Sequence, residues 1–576
     1  MPEFVPGFTQ PSASEGGTHG GLLMAQAFKD AGVDTIFALC GGHILGLLDG
    51  CLDVGIRVID TRHEGAATLA AEGWALATGR SGVAAVTAGP GFANSLTGFV
   101  DASAWNVPLL LFAGRTGLRQ RGRGAVMDVD QRAMVAPIAK WAEACHQTER
   151  IPRYVAEALA RSRNGTPGPV YLEIPQDIFM ASATAVAMDV GGGFPAVPPV
   201  PSPDPRDLDR ALDALQRAER PVVLAGGGAF WSGAGEALAR FAERAQIPVV
   251  TTSSSRGLVP DSHPWCLGSM VHSGIAVPGA DVVLVLGSAF NANVMYGGAP
   301  LFAPMGQTVI QVDISGDRIG GNRRPDIAVV GDSTRVVTEL TDAWQKSAAG
   351  REAWLQQAKD LTAFARATWD AQVDAHTGER VHAGAMAREV AAFARDVAGD
   401  AVTFVSDGGD ALTWMLAYGY AERPGRSLST TTALGTLGVG LPFSIAAKAA
   451  RPDEPVFCVI GDGSFGLCAM EVDTAVRHGL PVITIVSNNA GWRDVSHEQD
   501  AWYGKGRRTA SDLGDSRYDK LAEAFGGHGE HVTTLAELRP ALERSFDSGV
   551  ASVINVQTDP EILSELLRNL GPLGLM

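Results

Sequence analysis

Short apolar runs punctuate the chain, each ending in a turn of glycine, proline or acid, and helix-period stretches separate them. In the first third the runs are Thr35–Leu39, Ile56–Asp60, Val83–Thr87, Val107–Ala113 and Val170–Ile174. Between them, Leu22–Ala31 has the apolar spacing of an amphipathic helix, and Gly65–Thr78 is a small-residue helix able to pack closely on its neighbours. A second series holds Pro221–Leu224, Val282–Leu286 and Thr308–Val312. A third holds Val402–Val405, Ser427–Thr430, Val456–Ile460, Val482–Val486 and Ala551–Val556. Apolar runs of this length alternating with helices predict βα units, hence an α/β fold built on parallel sheets. The expected division is a flexible tail at 1–20 and domains at 21–190, 200–348 and 351–576. Proline-rich sequence at 195–205 forms a linker, and Arg351–Asp370 is a helical lead-in. A short apolar helix near the C-terminus, within 561–576, is a candidate lid over a site. The first and third series share one alternation, which fits a duplicated fold.

Composition narrows the function. At 576 residues the chain is too long for one core. A net charge of −17 disfavours nucleic acid or an anionic membrane as partner, though a local basic patch would still take an anionic substrate. The six cysteines are scattered, without metal-ligand spacing or a disulfide framework, so a reducing cytoplasm is expected. No apolar stretch is long enough to span a membrane.

The most informative stretch runs from Gly461 to Trp492. An apolar strand ends in Gly461-Asp462-Gly463, a helical pattern follows, and a second apolar strand ends in Asn488-Asn489, with 24 residues between Gly463 and Asn488. In a parallel sheet the carboxyl ends of such strands lie side by side, where these folds bind ligands. An acid on one loop and amides on the next suit a small hard cation such as Mg²⁺, which takes oxygen ligands and keeps substrate phosphates among them. Gly463 and Ser464 open the helix, so backbone N–H groups can face a phosphate.

GDG followed at this spacing by NN resembles the signature of enzymes that use thiamine diphosphate (ThDP). Three further segments carry the same resemblance: Arg62-His63-Glu64-Gly65-Ala66-Ala67, Gly89-Pro90-Gly91 with Asn94, and Gly435-Thr436-Leu437-Gly438-Val439-Gly440-Leu441-Pro442. The resemblance covers nearly all of the chain after residue 20. It implies the acetolactate-synthase-like architecture of pyrimidine-binding, central and diphosphate-binding domains, all doubly wound parallel sheets. It also implies ThDP and Mg²⁺ as cofactors, and active sites shared between subunits, with a homodimer as minimal unit and a homotetramer expected. By the same resemblance Glu64 is the cofactor-activating carboxylate, with Pro90 and Asn94 in the turn beside it. Leu437 wedges the cofactor into its bent form. Asp462, Asn489 and the Gly491 carbonyl bind the metal. Gly463, Ser464, Gly409 and Asp410 hold the diphosphate. A carboxylate hydrogen-bonded to the pyrimidine favours the imino tautomer that removes the thiazolium C2 proton. Glu64 also suits a helix N-terminus on dipole grounds alone.

Signals for the substrate are softer. Asp313 after the Thr308–Val312 strand, with Asp332 beyond it, resembles the segment of oxalyl-CoA decarboxylase and 2-hydroxyacyl-CoA lyases where ADP lies; flavin is the less favoured occupant, and an empty site is the plain alternative. His43 in Gly41-Gly42-His43-Ile44 resembles a segment of benzaldehyde lyase whose histidine acts near the C2 adduct, making it a candidate proton shuttle; a turn histidine bonded to backbone is the alternative. Val126-Met127-Asp128 stands where many relatives read Phe-Gln-Glu, which implies an altered acyl pocket. Glu498 is the candidate substrate acid or base, with His497 behind it and a solvated helix face as alternative. Lys505, Arg507 and Arg508 are candidates to attract CoA phosphates, with Arg423 and Arg426 weaker ones. The resulting expectation is a lyase that cleaves the C1–C2 bond of a 2-hydroxyacyl-CoA, closest to the 2-hydroxyisobutyryl-CoA type. It would release an aldehyde or ketone and formyl-CoA. Oxalyl-CoA decarboxylase and a 2-oxo acid carboligase are the runners-up.

Overall fold

In the computed structural model, residues 18–183, 198–345, 350–429 and 434–570 are described. The apolar runs form three six-stranded sheets in which every pair of neighbours is parallel. The first contains Thr35–Ala38, Arg57–Asp60, Gly82–Val86, Leu109–Arg115, Trp141–Ala144 and Pro169–Pro175. Numbered in chain order, its strands lie 2-1-3-4-6-5 across the sheet. The third contains Thr403–Asp407, Ser427–Ser429, Val456–Gly461, Val482–Asn488, His528–Val532 and Ser552–Gln557, and its order is again 2-1-3-4-6-5. Identical winding is what duplication of one domain produces. The middle sheet (Pro221–Ala225, Val249–Thr251, Cys266–Ser269, Val282–Leu286, Thr308–Asp313, Ile327–Val330) lies 3-2-1-4-5-6, the order of dinucleotide-binding folds.

The central strands are unbroken apolar runs because helices cover both faces. Val282–Leu286 is buried at every position, and each such side chain contributes about 1.5–3 kcal/mol relative to exposure. The chain divides into two compact units, one holding the first sheet and the other the second and third. Within the latter, buried Arg256 joins the sheets. It donates to the carbonyls of Leu416 and Gly419, both at 2.7 Å, and pairs with Asp261 at 2.9 Å.

The expected tail through residue 20 is corrected. Thr18–His19 pairs antiparallel with Ser182–Ala183, and His19 Nδ1 accepts from Leu22 N at 3.3 Å, capping the helix Gly20–Asp30. Of the linker expected at 195–205, residues 198–204 are described and hold no helix or strand, and the helix Pro205–Arg217 follows; the tail beyond 570 lies outside the described residues. The described end of the tail is a helix, Glu565–Leu570. Among the described residues no helix is long and apolar enough to cross a membrane, and all six cysteines are free thiols.

Candidate active site

In the first unit, four separate sequence motifs meet at the carboxyl edge of the sheet. Glu64 is buried at the start of the helix Glu64–Thr78, and Asn94 Nδ2 donates to its Oε2 at 3.0 Å. The Asn94 helix, Pro90–Trp105, begins at Gly89-Pro90-Gly91, and Pro90 occupies its first turn. A methyl group on Gly91 would lie 2.7 Å from Thr87 Cγ2 and 3.4 Å from Glu64 Oε1, so glycine lets this turn close over the carboxylate. Thr87 Oγ1 shares a hydrogen bond of 3.0 Å with His43 Nδ1, and burial lowers the imidazole's pKa. His43 is therefore bonded to a side chain, and burial favours its neutral form. Met127, in left-handed conformation (φ 64°), lies against Gly89, whose own φ is 61°; a Gly89 Cβ would sit 2.8 Å from Met127 Cβ. An apolar side chain thus backs the turn where a glutamine was the familiar alternative.

In the second unit the stretch from Gly461 folds as its pattern predicts. Asp462 is buried where the strand Val456–Gly461 passes into the helix Asp462–Cys468. Its Oδ1 accepts from Gly463 N (3.0 Å) and its Oδ2 from Gly491 N (2.9 Å), while burial pushes the carboxyl up to about 6. With its amide turned so that nitrogen donates, Asn489 bridges Gly491 O at 2.8 Å and Asp462 Oδ1 at 3.2 Å. Asp462, Asn489 and the Gly491 carbonyl therefore converge. Turned the other way, the Asn489 amide brings its oxygen to the same two atoms, and one carboxylate, one amide oxygen and one carbonyl then form the hard-oxygen donor set that Mg²⁺ takes. Among the described residues no cluster of three His, Cys, Asp or Glu could hold a metal instead. Asn488 serves the loop rather than the metal. It donates to Ser516 O (2.9 Å) and Asn555 Oδ1 (3.0 Å) and so fixes the loop in place.

Two helices open beside this set without side-chain caps, Gly409–Tyr418 and Asp462–Cys468. Their first N–H groups suit a diphosphate. Ser464 is buried, and its Oγ would be 3.1 Å from a Cβ on Gly408, which is left-handed (φ 92°). The Asp410 side chain is already engaged: Trp414 Nε1 donates to one oxygen and Ser564 N to the other, both at 2.9 Å. What it leaves available to a phosphate is its backbone N–H. Leu437 is half-buried between two left-handed glycines, Gly435 and Gly438.

The segment after Gly491 holds two residues that motif reading passes over. Arg493 donates to the carbonyls of Asn489 (2.9 Å) and Ala490 (2.7 Å) and pairs with Asp512 (2.8 Å), clamping the metal loop. Asp494 lies directly on Gly409. Burial, then the charges of Asp410 and Glu498, push its carboxyl up to about 7. Glu498 stands one turn further along the same helix face, half-buried. The acids' i, i+4 spacing was the available signal; that Gly409 lies beneath them was not. His497 turns to the Pro560 carbonyl (3.2 Å). Arg508 is paired with Asp500 and Glu561, and buried Arg426 with Glu454, so neither is a free cation.

In the middle domain Asp313 ends its strand and accepts from Ser315 N at 3.0 Å, and burial raises its pKa. Asp332 caps the helix Ser333–Asp342, accepting from Arg335 N (3.0 Å) and Ser232 Oγ (2.7 Å). Both its oxygens are used inside the protein.

Comparison with known families places these halves. Three models match in order: the thiamine pyrophosphate enzyme N-terminal TPP binding domain at residues 18–134, the central domain at 208–340 and the C-terminal TPP binding domain at 407–556. The chain belongs to the thiamine pyrophosphate enzymes. Similar members of this family fall into two groups. The acetolactate synthase large subunit IlvG of Mycobacterium tuberculosis is 35% identical over 550 residues, covering 94% of this chain and 96% of its own. The 2-hydroxyacyl-CoA lyase of Oryza sativa is 33% identical over 563 residues (94% and 95%), and 2-hydroxyacyl-CoA lyase 2 of Homo sapiens 30% over 547 (89% and 84%).

Proposed function

We propose that this thiamine pyrophosphate enzyme is a Mg²⁺-dependent carbon–carbon lyase that cleaves a 2-hydroxyacyl-CoA to formyl-CoA and an aldehyde or ketone, with 2-hydroxyisobutyryl-CoA as the first substrate to try. The observation carrying this reading is Met127 on Gly89, beside Thr87, His43 and Glu64. An apolar wall there suits an acyl chain rather than the polar adduct of a 2-oxo acid. The lyases among the relatives support it. ThDP, when bound, supplies a nucleophilic carbon and a sink for the electron pair left by C–C cleavage.

The residues divide the remaining work. Asp462, Asn489 and the Gly491 carbonyl hold Mg²⁺, and the N–H groups at Gly409, Asp410, Gly463 and Ser464 take the diphosphate. Leu437 would pack against the bound cofactor. Glu64, oriented by Asn94, holds the proton at the pyrimidine N1′. Glu498 takes the proton of the substrate's 2-hydroxyl as the C1–C2 bond breaks. His43 returns a proton to the carbon left by cleavage. A homodimer is the minimal unit and a homotetramer the expected assembly. ADP is the occupant proposed for the middle domain, at Asp313; its strand order supports a nucleotide there.

A second reading, acetolactate synthesis from pyruvate, is favoured by the 35% identity to the mycobacterial synthase. Assays with 2-hydroxyisobutyryl-CoA, oxalyl-CoA and pyruvate separate the readings. Formyl-CoA and acetone from the first compound are expected; acetolactate from pyruvate with no cleavage of CoA esters would sink the lyase.

A further inference from the structure

The loop after the strand Leu109–Arg115 carries Arg119, Arg121 and Arg123 on a tight turn. All three are exposed, and among the described residues none has an acid or hydrogen-bond acceptor for its guanidinium. In a chain of net charge −17, Arg508, Arg426 and Arg539 pair with carboxylates, whereas this loop gathers three arginines that do not. The turn itself is built. Leu118 N donates to both Asp177 oxygens at 3.1 Å, Gly122 N to Asp128 Oδ2 at 2.6 Å, and Thr116 Oγ1 to Val126 O at 3.2 Å. Gly122 and Gly124 are both left-handed (φ 73°), which folds the three arginines onto one short span. The crowding reaches inward: after burial, the charge of Arg121 is the next cause holding the buried Arg115 guanidinium below its usual range. Like charges gathered this way repel one another unless an anion is present.

The loop's other end is Met127, which lies on Gly89 beside the Glu64 cluster. One segment therefore runs from the reacting end of the site to a free cationic tip. We infer that Arg119, Arg121 and Arg123 anchor the phosphates of the substrate's nucleotide tail. This rests on the CoA-ester reading above and assigns the anchor within it. Guanidiniums suit phosphate oxygens through paired N–H donors. In the basic group around residue 505, one of the three cations, Arg508, is already taken by Asp500 and Glu561.

The test compares the wild type with the triple variant R119Q/R121Q/R123Q and a triple Lys variant, after matching their melting temperatures. Substrates are 2-hydroxyisobutyryl-CoA and the same acyl group on pantetheine, and CoA binding is followed by calorimetry. For the Gln variant, KM for the CoA ester should rise at least about tenfold, with kcat and the pantetheine-ester KM little changed. CoA affinity should fall in parallel, and its salt dependence should flatten. The Lys variant should recover part of the loss. Unchanged CoA affinity in the Gln variant, or an equal penalty on both thioesters, overturns the anchor while leaving the lyase standing. A wild type that neither binds CoA nor cleaves its esters overturns both.

Discussion

Glu64 carries the sharpest prediction at the scale of a single residue. Its carboxylate is held by Asn94 and closed over by Gly91, an arrangement that positions a proton rather than a fold. Glu64→Gln should therefore keep the melting temperature within a degree or so while lowering turnover at saturating cofactor by about 100- to 10,000-fold. Retained turnover would remove the pyrimidine-activating role. The place of Glu64 at a helix start was legible because residue type, neighbours and spacing all sit in one short motif. Asp494 was not, because its meaning depends on Gly409, far away in sequence, lying beneath it. Its carboxyl, pushed up to about 7, makes a separate prediction for the cofactor-free protein. A free aspartate titrates near ~3.9. Below that value folded and unfolded chains both hold the proton. As pH rises toward 7 the unfolded chain ionises first, so the folded state loses stability. Asp494→Asn removes that loss. In urea denaturation its advantage over wild type should widen by about 1–3 kcal/mol between pH 5 and pH 8. A gap that does not change with pH would mean that Asp494 is ionised in the folded protein throughout.

Among the elements, the helix opening at Asp462 depends on Gly463 for a reason beyond phosphate approach. A Cβ there would meet the Trp492 ring at 2.6 Å. The Trp492 main chain is fixed, because its backbone N–H donates to Ser511 O at 2.8 Å and its carbonyl accepts from Ser496 N at 2.9 Å, so relief has to come from turning the ring. Gly463→Ala should push the helix start and the metal loop apart, costing about 1–3 kcal/mol and weakening ThDP binding. Calorimetry reads the affinity, and thermal melting reads the stability. Unaltered affinity would show that Trp492 moves freely. Most of the strands the apolar pattern predicted are central and covered on both faces, with the edge strands Arg57–Asp60 and Ser427–Ser429 as exceptions. The strands it missed, Trp141–Ala144, Val249–Thr251, Cys266–Ser269, Ile327–Val330 and His528–Val532, lie at or next to sheet edges. Trp141–Ala144, Ile327–Val330 and His528–Val532 are partly exposed, whereas Val249–Thr251 is buried throughout and is only three residues long. His528–Val532 reads HGEHV and is fully buried only at its last position. Short, half-polar edge strands are how sheets avoid pairing with other chains, and the same feature hides them from periodicity.

For the molecule as a whole, the second unit is held by polar groups with no surplus of partners, and this sets its response to acid. His272 Nε2 donates to the Ala417 carbonyl (3.1 Å) with its ring on Trp369, joining the middle domain to the helix that begins at Gly409. His382 caps the helix Ala383–Ala398 by accepting from Gly384 N at 2.9 Å, its ring edge-on to Trp414. Trp414 in turn donates to Asp410 in the first turn of the helix Gly409–Tyr418. Burial lowers both imidazoles to about 4, against an ordinary value near ~6.5. Above the ordinary value both states are neutral and the packing is fully available. As pH falls below it the unfolded chain takes up protons that the folded protein refuses, so stability drains toward pH 4. Two such groups should cost about 2–4 kcal/mol between pH 7.5 and pH 5. Urea denaturation followed by tryptophan fluorescence reads this directly, because Trp369 and Trp414 sit against these rings. His272→Gln should flatten the slope by roughly half, whatever it does to stability at pH 7.5. A slope that survives that substitution intact would place the acid sensitivity in other groups and leave His272 a packing residue alone.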